Sequence, residues 1–234
     1  MSGVREYRRL APGTNPPTLY PDYKSSVKRA PHHALVHVAQ TLSEITGPNL
    51  GASMTRPGDA DLTRFNGGQA LGERIIVAGR VLDEDARPVP KALIEIWQAN
   101  ACGRYAHPAD QHDAPLDPHF SGAGRAVTGE DGAYQFISIK PGAYPWGNHH
   151  NAWRPNHIHL SLFGAGLATR LVTQMYFPGD PLLELDPIFQ SVPDPDARSR
   201  LVAKFDLAVT RPDYALGYSF DIVLRGRGAT PPIP

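Results

Sequence analysis

Twenty-four of the 234 residues are proline, about twice the share of roughly 5% found in an average chain. Each proline removes a backbone N–H and clashes with the preceding turn of a helix, so long helices are disfavoured. Short β-rich runs separated by turn signals are what such a chain can build. Residues 74–82 and 91–98 are two such runs, joined by a polar segment containing Asp83, Glu84 and Asp85, and they read as a hairpin. Further strands are expected at 124–128 and 133–139, on either side of Glu130-Asp131-Gly132, and at 156–163, 169–177 and 216–225. The pattern predicts an all-β chain with a β-sandwich core, an extended N-terminal arm and few short helices.

One helix is expected to start near Asp194 or Asp196, where an N-capping aspartate precedes ARSRLVAKF. Residues 34–46, ALVHVAQTLSEIT, fit a strand or a helix. Residues 1–70 otherwise read as an arm and loops that wrap a partner subunit, and 71–234 as the catalytic sandwich, within one structural domain. A chain of this length with 41% hydrophobic residues can bury one substantial core. The net charge of zero argues against nucleic-acid binding. Within residues 1–33, however, six basic residues (Arg5, Arg8, Arg9, Lys24, Lys28, Arg29) face two acidic ones (Glu6, Asp22), a net of +4. Such an arm suits an acidic partner or an anionic substrate, or is equally a solvated tail. The single cysteine, Cys102, cannot form an internal disulfide, and MSGVREYRRLAPG lacks the apolar run of a secretory signal. A cytoplasmic location is expected, with no membrane association, since no stretch approaches the roughly 20 consecutive apolar residues of a spanning helix.

His157 and His159 lie in RPNHIHLSLFG, where alternation with Ile158, Leu160 and Leu162 reads as a strand and puts both imidazoles on one face. Two such imidazoles can share a metal, or can be ordinary hydrogen-bonded strand histidines. Tyr105 and Tyr144 precede them. Tyrosine binds a metal strongly only after losing a proton of pKa about 10, which suits a hard, highly charged ion such as ferric iron better than zinc. Taken singly, each tyrosine also suits a half-buried structural position.

The surroundings of these residues carry a resemblance. NACGRYAH around Tyr105, PGAYPWGNHHNAWRPNHIHLSLFG around Tyr144 and both histidines, and TQMYFPGDP at 173–181 are similar to the intradiol ring-cleaving dioxygenases. DYKSSVKRAP, SEITGP and GRVLDEDARPVPKALIEIWQANACGRY extend the likeness from about Pro21 to the C-terminal strand, and it most resembles the β-type chains of the protocatechuate-cleaving branch. The resemblance implies a nonhaem Fe(III) site formed by Tyr105, Tyr144, His157 and His159, with solvent hydroxide as a fifth ligand. It implies that Tyr144 leaves iron when substrate binds while Tyr105 stays. The reaction implied is cleavage of protocatechuate (3,4-dihydroxybenzoate) by O2 to 3-carboxy-cis,cis-muconate, in the β-ketoadipate pathway of aromatic catabolism. Arg154 is implied to be a fixed positive charge beside the iron and Gln174 a polar neighbour. Tyr23 and Arg29 match positions that reach the substrate region, where a phenol and a guanidinium could recognise a carboxylate. Trp146 is a candidate wall of the aromatic pocket. The partner implied is a homologous α chain lacking the iron ligands, in a larger oligomer of αβ units.

The residues alone leave other readings open. Arg154 also reads as a surface arginine in an ion pair, Gln174 as a strand amide, Tyr23 as an anchor for the arm and Arg29 as part of its basic stretch. His149 and His150 are expected at the pocket rim and not as ligands. A cupin or three-histidine zinc hydrolase would use His-x-His too, but the next glutamate after His159 is Glu184. A noncatalytic sandwich subunit would have the same strands without a metal. Catechol- and hydroxyquinol-cleaving members of the same family normally carry an N-terminal helical domain, of which this chain shows no sign.

Overall fold

The computed structural model describes residues 10–36, 52–147, 152–164 and 170–233. Its regular structure is mostly strand, as the proline content demands. Ile75, Ile76, Val77 and Val81, β-branched and fully buried, make Arg74–Leu82 (β1) the spine of one sheet. On one side β1 pairs antiparallel with Ala133–Ile139 (β4). On the other it pairs parallel with Leu216–Ser219 (β10) and then Ile222–Val223 (β11), while Lys204–Phe205 (β9) borders β10. The second sheet is antiparallel and runs Ala123–Val127 (β3), Leu93–Trp97 (β2), His157–Phe163 (β7), Leu171–Tyr176 (β8). Tyr144–Trp146 (β5) and Ala152–Arg154 (β6) form a separate ribbon. The described part of residues 1–70 carries a short α-helix, Ser25–Arg29 (α1), and a 3-10 turn, Ala52–Met54.

Ile75, Val77 and Phe136 from the first sheet meet Ile94, Ile96, Ile158, Leu160 and Leu162 from the second in the main core. Leu62 joins that core, and its N–H bonds to the Ile137 carbonyl, so the segment before β1 is already part of the sandwich by this point. Since side chains alternate along a strand, the inward set on β7 turns His157 and His159 to the outer face of the second sheet. A second cluster, Tyr176, Ile188, Phe189, Val192, Ala197, Leu201 and Ile233, covers part of that face. Three Asp-Pro pairs shape the covering segment. Asp180, Asp186 and Asp194 each accept N–H bonds at the start of the 3-10 turn Pro181–Glu184 and of the helices Pro187–Gln190 (α2) and Pro195–Ser199 (α3). Proline in the first turn loses a donor that would have had no partner there.

Three sequence expectations need correcting. β1 and β2 are no hairpin: the end of β1 makes the single antiparallel bridge Leu82–Pro88 before β2 begins, and β2 joins the other sheet. The strand expected at 216–225 breaks between β10 and β11, where Asp221 accepts the Arg80 N–H. The helix from Asp194 stops after Ser199, because Leu201 and Ala203 exchange backbone hydrogen bonds with Tyr176 at the end of β8. Most of 34–46, with its strand-or-helix ambiguity, lies outside the described residues. Among the described residues no helix is long and apolar enough to cross a membrane.

Candidate active site

Strand register brings the first group of side chains together. On the outer face of the second sheet His159 lies between Trp97 on β2 and Gln174 on β8, and His157 opposite Tyr176. The Trp97 and His159 rings stack at 4.9 Å with 5° between their planes. His157 Nδ1 lies 2.6 Å from the Pro155 carbonyl oxygen. A carbonyl can only accept, so Nδ1 carries the proton and Nε2 is left as a lone-pair donor. Tyr144 Oη stands 3.3 Å from that Nε2.

The tyrosines arrive from two connections held against each other by glycine. Gly103 turns at φ +76°, and a Cβ there would lie 2.2 Å from the Ala143 carbonyl oxygen. Reciprocally, a Cβ on Gly142 would lie 2.4 Å from the Ala101 carbonyl oxygen. Only glycine permits this approach, which sets the Tyr105 loop directly on the lead into β5. Asn100 fixes the loop start by accepting the N–H groups of Cys102 and Arg104. Asp110 accepts the N–H groups of Tyr105 and His112 at 2.7 and 2.8 Å. The Tyr105 and Tyr144 rings then meet edge to face at 5.3 Å.

The donor set fits a highly charged metal ion. Two ligands each roughly 2 Å from one ion stand about 3 Å apart, which is the spacing of Tyr144 Oη and His157 Nε2. Tyr105 Oη is buried and makes no hydrogen bond of acceptable geometry among the described residues. Burial holds His157 well below its ordinary pKa, with Arg154 and His159 adding to the effect, and takes His159 down to about 3, so both imidazoles are neutral donors at pH 7. Burial raises the Tyr105 phenol well above 10, helped by Tyr144, and raises Tyr144 less because Arg154 opposes it. Without a cation both stay protonated; a trivalent ion would compensate two phenolates. Among the described residues no three His, Cys, Asp or Glu side chains gather to hold a metal, so an ion at His157 and His159 would need other donors.

Arg154 is the cross-strand partner of Tyr144 in the β5–β6 ribbon. The surface alternative for it fails, since its side chain is 3% exposed. Its Nε and Nη2 donate to the Asp186 carboxylate at 3.0 and 3.2 Å, and Nη2 also donates to Gln174 Oε1 at 2.6 Å and Tyr176 Oη at 3.3 Å. The sequence reading missed Asp186 and Tyr176. The Asp186-Pro187 pair signals only a helix cap, and the contact of Tyr176 with Arg154, at 3.3 Å, is not visible without the fold. Gln174 is fully buried behind Arg154, with its carbonyl oxygen engaged by Arg154 and Tyr176, and does not line the cavity.

A cavity of about 660 Å³ opens over Tyr105, Tyr144, Trp146 and Trp153. Trp146 therefore stands where a wall residue is expected, and the Arg154 guanidinium lies 5.3 Å over its ring. Tyr23 packs on Trp146 at 5.3 Å and Arg29 sits 4.6 Å over Tyr23. Both line a neighbouring recess of about 430 Å³ and not the tyrosine cavity itself. His149 and His150 lie outside the described residues.

The chain is similar to known proteins over most of its length. A family model described as dioxygenase matches residues 45–226, and one described as protocatechuate 3,4-dioxygenase beta subunit N terminal matches residues 7–41. The chain is 59% identical over 220 residues to a protocatechuate 3,4-dioxygenase beta chain from Burkholderia cepacia, spanning 93% of each. It is 30% identical over 200 residues to a protocatechuate 3,4-dioxygenase alpha chain from Pseudomonas putida, spanning 82% of this chain and 94% of that one. A solved 3-chlorocatechol 1,2-dioxygenase from Rhodococcus opacus 1CP shares the fold, with a TM-score of 0.53 and 20% identity over 70% of this chain and 64% of that one.

Proposed function

The chain belongs to the intradiol ring-cleaving dioxygenases, and from that footing we propose that it opens protocatechuate with O2 between the two hydroxylated carbons, giving 3-carboxy-cis,cis-muconate. The observation that carries this reading is the approach of Tyr144 to the lone-pair nitrogen of His157, with Tyr105 and His159 beside them, under a cavity next to a buried arginine. Tyr105, Tyr144, His157 and His159 would hold Fe(III). Bound ferric iron would supply Lewis acidity that favours the doubly deprotonated catechol and opens its ring to O2.

The chain's own residues do the rest. Burial makes the phenolate form of Tyr144 a stronger base than a free tyrosinate, so as a phenolate Tyr144 would take up a proton released by the incoming catechol. Tyr105, on the tightly braced loop, remains in place. Arg154 supplies a fixed positive charge where negative charge develops on the substrate, in an enclosed setting where water screens it little. Trp146 walls the ring, and Tyr23 and Arg29 brace that wall from the neighbouring recess. The basic arm and the loops of residues 1–70 wrap a homologous α chain in an oligomer of αβ units; the beta-chain and alpha-chain relatives support such an assembly.

The test is oxygen consumption by the iron-loaded protein, coexpressed with its α partner, on protocatechuate, catechol and hydroxyquinol. The reading expects one O2 per protocatechuate with the muconate as product, and much slower turnover of the other two. Iron-loaded protein that consumes no O2 with protocatechuate would overturn it.

A further inference from the structure

Asp186 is fully buried, and no part of it lines the cavity. Its carboxylate takes two N–H groups of Arg154, at 3.0 and 3.2 Å, in a fork that fixes both the position and the plane of the guanidinium. It also accepts from the backbone N–H groups of Ile188 and Phe189 at 3.3 and 3.4 Å, while Tyr176 Oη, whose proton goes to Gln174 Oε1 at 2.9 Å, lies 3.3 Å from it. The carboxylate is thus itself immobilised by the start of α2. The other acceptors of Arg154, Gln174 Oε1 and Tyr176 Oη, are neutral and both engage Nη2, so neither sets the plane of the cation. Asp180 and Asp194 cap equivalent Asp-Pro turns without meeting any guanidinium among the described residues, which separates capping from the function at Asp186.

We propose that Asp186 is a positioning residue for ring cleavage, holding the Arg154 cation at the substrate through the bidentate pair and tying that placement to α2. The inference rests on the proposed reaction. Losing Asp186 would leave the cation present but free to turn among Tyr144, Trp146 and the cavity.

The experiment compares Asp186→Asn, Arg154→Ser, the double variant and the capping control Asp194→Asn, in iron-loaded protein with its α partner. Steady-state kinetics are read with the resting visible spectrum and iron content. Asp186→Asn is expected to keep its iron and its KM, and to lose about tenfold or more in kcat, within the roughly hundredfold that a misplaced group can cost. Its visible band is expected to move in the same direction as that of Arg154→Ser, since both displace the same charge from Tyr144. The double variant should be no slower than Arg154→Ser, because residues acting as one unit are not additive. Asp194→Asn should leave kcat and the band unchanged. Normal kcat in Asp186→Asn, multiplying effects in the double variant, or an equal loss in Asp194→Asn would overturn the proposal. If Asp186→Asn does not fold, the double variant, relieved of the unpaired buried cation, should fold; its failure would assign Asp186 to packing alone and refute the inference. A colourless, inactive wild type would instead refute the proposed reaction, a different result from a wild type that works beside an equally fast Asp186→Asn.

Discussion

Gly103→Ala tests whether the meeting of the two tyrosines depends on backbone contact. At φ +76° an alanine occupies the left-handed region, costing about 1–2 kcal/mol. Its Cβ would also lie 2.2 Å from the Ala143 carbonyl oxygen and 3.2 Å from Tyr144 Cβ. Ordinary carbon contacts begin near 3.5 Å, so the lead into β5 must retreat by roughly 1 Å. Tyr144 rides on that lead, and a displacement of this size in a reacting group can cost about a hundredfold in rate. We therefore expect Gly103→Ala to lose iron affinity and about two orders of magnitude in kcat/KM. Gly228→Ala is the control, since nothing lies within 4 Å of its Cβ position, and its stability should change by less than about 0.5 kcal/mol. Iron per chain, the visible spectrum and kcat/KM would be measured on all three proteins. Full iron content and unchanged kcat/KM in Gly103→Ala would show that the close approach does not set the site.

Arg154→Ser should retain iron and lose about 10²–10³ in turnover, the scale of removing one preorganised electrostatic group; a normal rate would remove its electrostatic role. Tyr105→Phe should weaken iron binding or change the protein's colour, read by metal content and absorbance, and an unaltered spectrum would count against Tyr105 as a ligand. Tyr134 supplies a pH test away from the site. Burial, with Asp221 adding to it, raises its phenol above the unfolded value near 10. The folded state then keeps a proton that the unfolded state releases, so this stabilisation is complete below pH 10 and declines above it, by up to about 1.4 kcal/mol per pH unit. Tyr134→Phe removes the 2.5 Å bond to the Phe220 carbonyl, costing about 1 kcal/mol at neutral pH, but should flatten the alkaline loss in denaturation midpoints taken between pH 8 and 11. An unchanged slope would contradict the assignment.

Strand positions were legible because inward alternation survives in the sequence: His157, Ile158, His159 and Leu160 already declared which side chains share a face. What alternation cannot state is the partner of each strand. β1 and β2 are both rich in buried branched residues and joined by a plausible turn, yet they enter opposite sheets. The four candidate donors, Tyr105, Tyr144, His157 and His159, were marked by their surrounding motifs, and their side chains lie close together. The support for Arg154 was not recognisable. Asp186 lies 32 positions away in sequence, and an aspartate before proline reads as a helix cap whether or not a guanidinium reaches it. Gln174 shows the same limit, since motif likeness marked its position but only strand register shows that it faces Arg154 and not the cavity.

The central claim is that Tyr105, Tyr144, His157 and His159 hold ferric iron to which protocatechuate binds directly. The visible absorption spectrum of the protein coexpressed with the proposed α partner, taken before and after anaerobic addition of protocatechuate, tests it most directly. The account predicts a broad tyrosinate-to-iron band that shifts when substrate is added. A colourless protein holding stoichiometric zinc, or one that takes up no metal on ferric reconstitution, would contradict it.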